Sequence, residues 1–371
     1  MTTAWTADCV RKIDLQHASR VPVIHSVGRS ELDPDRVYWD MWPIQDLDGR
    51  IANLGGRELW MALSAPRRDD PALRHFEAKI RLLERLGDCW IDRGDALPEF
   101  PVDYEREWAG SAVSDGTNVT LYFTAAGTSD RPGGYQQQLV ETRAQIGADG
   151  LPKNWTLPQR SVTADSEFYM PANAHEGEAG KIKAFRDPAY FRDSADGKEY
   201  LIFTASLAGS KSAYNGAVGI ARRSADGWQL IAPLIHADGV NNELERAHAV
   251  FHDGRYYVFW VTQSATFAPD LQHAPTGLYG MVADNLLGDY RPLNGSGLVI
   301  ANAEEEPLQS YSWFVTKELL VSSFVDFYGL KGRPLPGQAH EASRFFGGAP
   351  APLLQLCIDG DRCNLAKPDL T

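Results

Sequence analysis

The segment Asp253-Gly254-Arg255-Tyr256-Tyr257-Val258-Phe259-Trp260 is a tight turn followed by a run of aromatic and β-branched residues. Asp-Gly takes the left-handed turn that joins antiparallel strands, and Tyr, Val, Phe and Trp favour the pleated surface of a sheet. The pattern recurs. Gly55–Ser64, Asp115–Phe123, Asp196–Phe203 and Thr316–Phe324 each set a turn ahead of such a strand, and three of the five pieces begin with Asp-Gly. Their starts lie 60, 81, 57 and 63 residues apart. That spacing leaves room for several short strands per unit. Five such units predict an all-β fold, a five-bladed β-propeller in one domain over residues 1–371 with its core at about 37–328. Residues 1–36, with Pro22 and Pro34, and 331–371, without periodicity, read as segments wrapping that core. One helix is expected over 69–88. Pro71 behind Asp69-Asp70 suits a first turn, and Leu73, Phe76, Ile80 and Leu83 recur at three- and four-residue intervals.

A polar or aromatic group stands shortly before each turn: Trp39-Asp40, Glu107-Trp108, Arg186-Asp187, Glu243-Leu244-Glu245-Arg246 and Tyr311. If each turn joins the first two strands of a blade, these groups lie on the innermost strands and converge on one central pocket. Asp40 sits between Trp39 and Trp42 with no base beside it. A structural Asp prefers caps and turns. Sugar-processing sites, by contrast, set a carboxylate among rings, where it meets the anomeric carbon. Asp187 precedes Pro188, which is expected to hold it extended. Glu243 and Glu245 share one face of a strand, and their repulsion raises at least one pKa, as a general acid requires. Taken singly, these pieces read as a buried Trp cluster, a surface turn and a solvated strand edge. Together they form a glycosidase-like set. A retaining mechanism needs a nucleophile and an acid/base about 5–5.5 Å apart, and a third acid can grip sugar hydroxyls.

The formal net charge of −13 excludes nucleic acid and anionic membranes as partners and is indifferent to a neutral sugar. No apolar run approaches the ~20 residues of a membrane span. The N-terminus lacks a basic stretch followed by an apolar run, so no signal peptide of the usual kind is expected. The chain is then cytoplasmic or exported by another route. Cys9, Cys89, Cys357 and Cys363 form no C-x-x-C pair, and Cys357 with Cys363 is read equally as a closed small loop or as a reduced pair. His248 and His252 lie in a strand pattern and are not read as metal ligands. Gly347-Gly348 does not link a strand to a helix, so nucleotide binding is not expected.

Trp39-Asp40-Met41-Trp42-Pro43, Glu107-Trp108-Ala109-Gly110-Ser111, Phe185-Arg186-Asp187-Pro188 and Glu243-Leu244-Glu245-Arg246-Ala247 stand in the order and spacing of glycoside hydrolase family 68. Thr276–Gly280, Leu293–Leu298 and Gln309–Ser312 extend the resemblance over about Val37 to Tyr328. That family holds levansucrases, inulosucrases and bacterial β-fructofuranosidases on a five-bladed β-propeller. The resemblance implies that Asp40 is the nucleophile attacking the fructosyl carbon of sucrose. It makes Glu245 the acid/base and Asp187 the stabiliser of the oxocarbenium-like transition state. It places Trp39, Trp108 and Arg186 around fructose, and Glu243, Arg246 and Tyr311 on the glucose side. It implies a levansucrase-type transferase with sucrose and fructosyl acceptors as its partners, a sucrose-hydrolysing β-fructofuranosidase being the alternative. A carbohydrate-binding propeller without turnover is the reading from another class. The chemistry needs no cofactor. Two positions depart from the family pattern. Ala109 replaces a serine that helps hold the nucleophile, leaving Ser111 or water to substitute. Gln263 stands where the acceptor side usually carries arginine or histidine. Some relatives bind calcium through an aspartate at the position of Asn242, and no metal is expected here.

Overall fold

The computed structural model describes residues 2–27, 32–177 and 181–366. It is mostly β, and its strands fall into five antiparallel units in chain order. The first runs through Arg36–Asp46, Arg57–Pro66, Lys79–Leu86 and Cys89–Asp95. The second runs through Arg106–Ser114, Asn118–Ala126 and Gln137–Ile146, and joins the first by a short parallel register of Ile44–Asp46 with Ala112–Ser114. The third comprises Phe185–Arg192, Glu199–Ser206, Gly216–Ser224 and Gly227–His236. The fourth comprises Glu245–His252, Arg255–Thr262, Gly277–Ala283 and Leu298–Ala301. The fifth opens with Ser310–Val315 and Leu320–Phe327. The Asp-Gly turns link first to second strands, with Gly116, Gly197 and Gly254 at φ of 87°, 72° and 76°. The cores are apolar layers between units, such as Trp42, Met61, Leu121 and Phe123 between the first two.

Two expectations about elements are corrected. The helix expected over 69–88 is a 3-10 turn, Pro71–Phe76, capped by Asp70 Oδ1 accepting from the Ala72 amide, followed by the strand Lys79–Leu86. Ile80, Leu82 and Glu84 alternate with Arg81, Leu83 and Arg85. Cross-strand charges fix that period of two: Arg81 pairs with Asp92 and Asp95, Arg85 with Glu58, and Glu84 with Arg57 and Arg93. The charges, not an apolar stripe, decide the element. At the other end, Phe346–Pro350, Leu354–Asp359 and Arg362–Leu365 complete the sheet of the fifth unit, past the expected core end at 328. Thr3–Ala4 pairs in parallel with the outer strand of the third unit and Ser19–Arg20 with that of the fourth. All four cysteines are free thiols.

Candidate active site

One irregularity recurs in every unit. The first strand carries one extra residue relative to the second, at the same place: after Trp39, Trp108, Arg186, Glu245 and Tyr311. Such a bulge re-aims the side chains next to it. In four units the residue after the break is a non-glycine at positive φ: Asp40 (48°), Asp187 (58°), Arg246 (50°) and Ser312 (60°). Asp187 is therefore not held extended by Pro188; the bulge overrides that preference. The second unit differs. Ala109 takes no positive φ, and Gly110 follows because a Cβ there would stand 1.9 Å from the Tyr122 carbonyl oxygen.

The bulged residues meet. Arg186 Nη2 donates to Glu245 Oε1 at 2.9 Å and lies 3.2 Å from Glu243 Oε1, while its Nε is 3.5 Å from Asp187 Oδ2. Burial works against the charge on Arg186, and Glu243, Glu245 and Asp187 more than offset it. The other Glu245 oxygen accepts from the Tyr311 hydroxyl. Both oxygens of Glu245 are thus held, by residues of two other units. Glu243 is pushed up, by burial first and by repulsion from Glu245 against the pull of Arg186. Asp187 is pushed up to about 7, again by burial first, with Arg186 opposing.

Two threonines fix Asp187 and Arg246. Thr124 Oγ1 accepts from the Asp187 amide at 2.8 Å and donates to the Ala109 carbonyl. Thr204 Oγ1 accepts from the Arg246 amide at 2.8 Å and donates to Asp187 Oδ2 at 3.1 Å. The second strands of the second and third units therefore anchor the first strands of the third and fourth. Arg246 in turn spans the centre, donating to Met41 O (2.9 Å) and to Ser312 Oγ (2.9 Å) and O (3.1 Å). His248 locks the same region as a neutral ring. Its Nε2 accepts from the Val315 amide, its Nδ1 donates to Arg246 O, and burial pushes its pKa down to about 3.

Asp40 is raised by burial. Arg246, a hydrogen bond from Ser312 and Arg74 oppose that rise, and Glu245 adds to it. Ser312, in the stretch Gln309–Ser312, is thus a hydroxyl that acts on the nucleophile, while Ala109 has none to offer. Ser111 is engaged elsewhere, accepting from the Tyr190 amide. Trp39 is 1% exposed and meets the His75 ring edge-on. Trp108 donates its Nε1 to the His75 carbonyl and flanks the Arg106 guanidinium. Glu107 belongs to the scaffold, holding Lys79 Nζ and the Ile80 amide. Gln263 follows the strand end whose Val261 pairs with Glu245, and it is exposed there. Sequence reading missed Ser312, Arg74 and Asp326.

Near Glu243, the ammonium of Lys183 donates to the Ala213 carbonyl (2.7 Å), Asn215 Oδ1 and Asn242 Oδ1 (3.2 Å). Among the described residues the donor set is two amide oxygens and one backbone carbonyl with a side-chain cation at their focus. It does not fit calcium, which takes about six to eight oxygens including carboxylates.

A model of the levansucrase/invertase family, glycoside hydrolase 68, matches residues 1–222 and 212–367. A levansucrase of Erwinia amylovora is 30% identical over 97% of this chain and 93% of its own length. The inulosucrase of Halalkalicoccus jeotgali, solved bound to kestose, superposes with a TM-score of 0.88 at 35% identity, over 98% of this chain and 95% of that one. Bacillus subtilis levansucrase superposes with a TM-score of 0.81 at 20% identity, over 99% and 95%.

Proposed function

The chain belongs to glycoside hydrolase family 68, the levansucrases and invertases, and on that premise we propose that it is a retaining fructosyl enzyme acting on sucrose. The supporting observation is that Asp40, Asp187 and Glu245, from three different units, face one another around Arg186 and Arg246. The fold is a five-bladed β-propeller, each antiparallel unit being one blade, and the bulged first strands line its centre. Asp40 attacks the anomeric carbon of the fructosyl unit. Glu245 gives its proton to the departing glucose oxygen, and Asp40 then carries the fructosyl group as an ester. Arg186 and Tyr311 aim the two oxygens of Glu245 for that transfer. Glu245 next takes a proton from the acceptor hydroxyl, which attacks the same carbon and frees Asp40. Asp187, fixed by Thr204, accepts hydrogen bonds from fructose hydroxyls as positive charge develops on the ring.

The favoured outcome is transfer to sugar, as in a levansucrase. The exposed, uncharged Gln263 favours a second outcome, capture by water. An incubation with sucrose, measuring glucose and free fructose separately, decides between them. Glucose in excess reports transfer, and equal amounts report hydrolysis. Glu245→Gln is expected to lower kcat on sucrose by about 10²–10⁴-fold while sucrose still binds. Unchanged turnover would remove Glu245 from the acid/base role.

A further inference from the structure

Arg74 and Asp326 stand beside the nucleophile and have no part in the steps above. Arg74 comes from the 3-10 turn Pro71–Phe76 and Asp326 from the end of the strand Leu320–Phe327, so two distant segments bring them together. The Arg74 guanidinium carbon lies 4.8 Å from the Phe346 ring centroid and 5.7 Å from that of Trp39. Its Nη1 donates to the Pro71 carbonyl at 2.7 Å. Its Nε is buried without a partner, and so is Asp326 Oδ1. Asp326 and then Asp40 are the charges that act most strongly on Arg74. The half-buried cation thus acts on the charges of the reaction centre, yet neither open atom finds a protein partner among the described residues.

An open donor and an open acceptor in a buried place are each costly unless something fills them. A hydroxyl is both acceptor and donor, so a single one satisfies the two atoms together. The Trp39 and Phe346 rings pack against the guanidinium and hold it in place. A structural clasp would instead close arginine on carboxylate in a forked pair. We propose that Arg74 and Asp326 bind one hydroxyl of the fructosyl unit, Arg74 donating to its oxygen and Asp326 accepting its proton. The inference rests on the fructosyl reading given above and adds two substrate-binding residues to it.

The test uses sucrose analogues deoxygenated singly around the fructosyl ring. One analogue is expected to lose on the order of 10- to 100-fold in kcat/KM with the wild-type chain, because it leaves the buried pair open. In Asp326→Ala that analogue is expected to lose no more than sucrose does, since the partner of the missing hydroxyl is already gone. Arg74→Gln should erase the same penalty, and the near-isosteric Asp326→Asn, which retains an acceptor and guards against a folding defect, should reduce it. If the variants slow every analogue by one common factor, or if no analogue is penalised in the wild type, the pair does not touch the substrate and the proposal falls. A wild-type chain inactive on sucrose would overturn the functional reading instead. Calorimetric binding of methyl β-fructofuranoside then decides: affinity lost in Asp326→Ala supports the pair, and unchanged affinity overturns it.

Discussion

Ser312 carries two burdens at one position. It holds φ at 60°, and its hydroxyl accepts from Arg246 and donates toward Asp40. A non-glycine in that backbone region costs about 1–2 kcal/mol. Ser312→Gly removes the hydroxyl and relieves the backbone, so it is expected to keep its Tm or raise it while kcat on sucrose falls about tenfold. Ser312→Ala should match it in activity and not in Tm. Equal activity of Ser312→Gly and wild type would deny the hydroxyl a role. Asp326 yields a pH effect. Burial pushes it to about 7 from an ordinary 3.8, so the folded state holds an extra proton between those values. Its contribution to stability is full below about pH 4 and is lost as the pH rises through 7. Asp326→Asn stays neutral throughout. Thermal unfolding should therefore show its Tm rising relative to wild type from about pH 4 to about pH 7; a constant difference would contradict the assignment. The residues legible in the sequence, Asp40, Asp187 and Glu245, stand beside rings or arginines in ordered motifs. Ser312 and Asp326 have no such local sign, because each acquires its role from a neighbour more than 60 positions away, Arg246 and Arg74.

The strand pattern and the Asp-Gly turns were readable because both follow from short-range backbone preferences. Lys79–Leu86 was not, since its apolar residues satisfy a helical and an extended period alike and only the cross-strand partners Asp92 and Glu58 separate them. The bulges were equally hidden. Their one extra residue appears only in register with a partner strand. Lys183 is a further case of a partner supplied from afar, an ammonium tying the carbonyl of Ala213 to the amides of Asn215 and Asn242. Lys183→Met is expected to destabilise the fold by about 3 kcal/mol, by leaving buried oxygens unpaired. Treatment with a calcium chelator should leave wild-type Tm and turnover unchanged. A fall on chelation would show that a metal, and not the ammonium, binds these oxygens.

At the scale of the molecule, residues 2–27 act as a strap between neighbouring units. Trp5 is 1% exposed, donates to the Ser296 carbonyl at 2.8 Å and packs edge-on against Trp260 at 5.2 Å. The strands on either side of it cover the outer edges of the third and fourth units, which would otherwise offer unpaired backbone to another chain. Trp5→Ala is expected to cost about 3–5 kcal/mol in denaturant unfolding while kcat at moderate temperature stays at the wild-type value. A parallel loss of kcat would tie the strap to the reaction centre. The outer strands of the fifth unit come from residues 346–365, which weak alternation and several Pro and Gly residues disguised as a wrap.

The bulge that recurs after Trp39, Trp108, Arg186, Glu245 and Tyr311 sets one socket per unit on a common plate. The sheet behind a socket is held by its own ladder, and the occupants of three sockets, Arg186, Glu245 and Tyr311, touch one another. Exchanging an occupant therefore rewrites reactivity and leaves the plate standing. Such a layout lets inherited change explore new sugars one position at a time without first risking the fold.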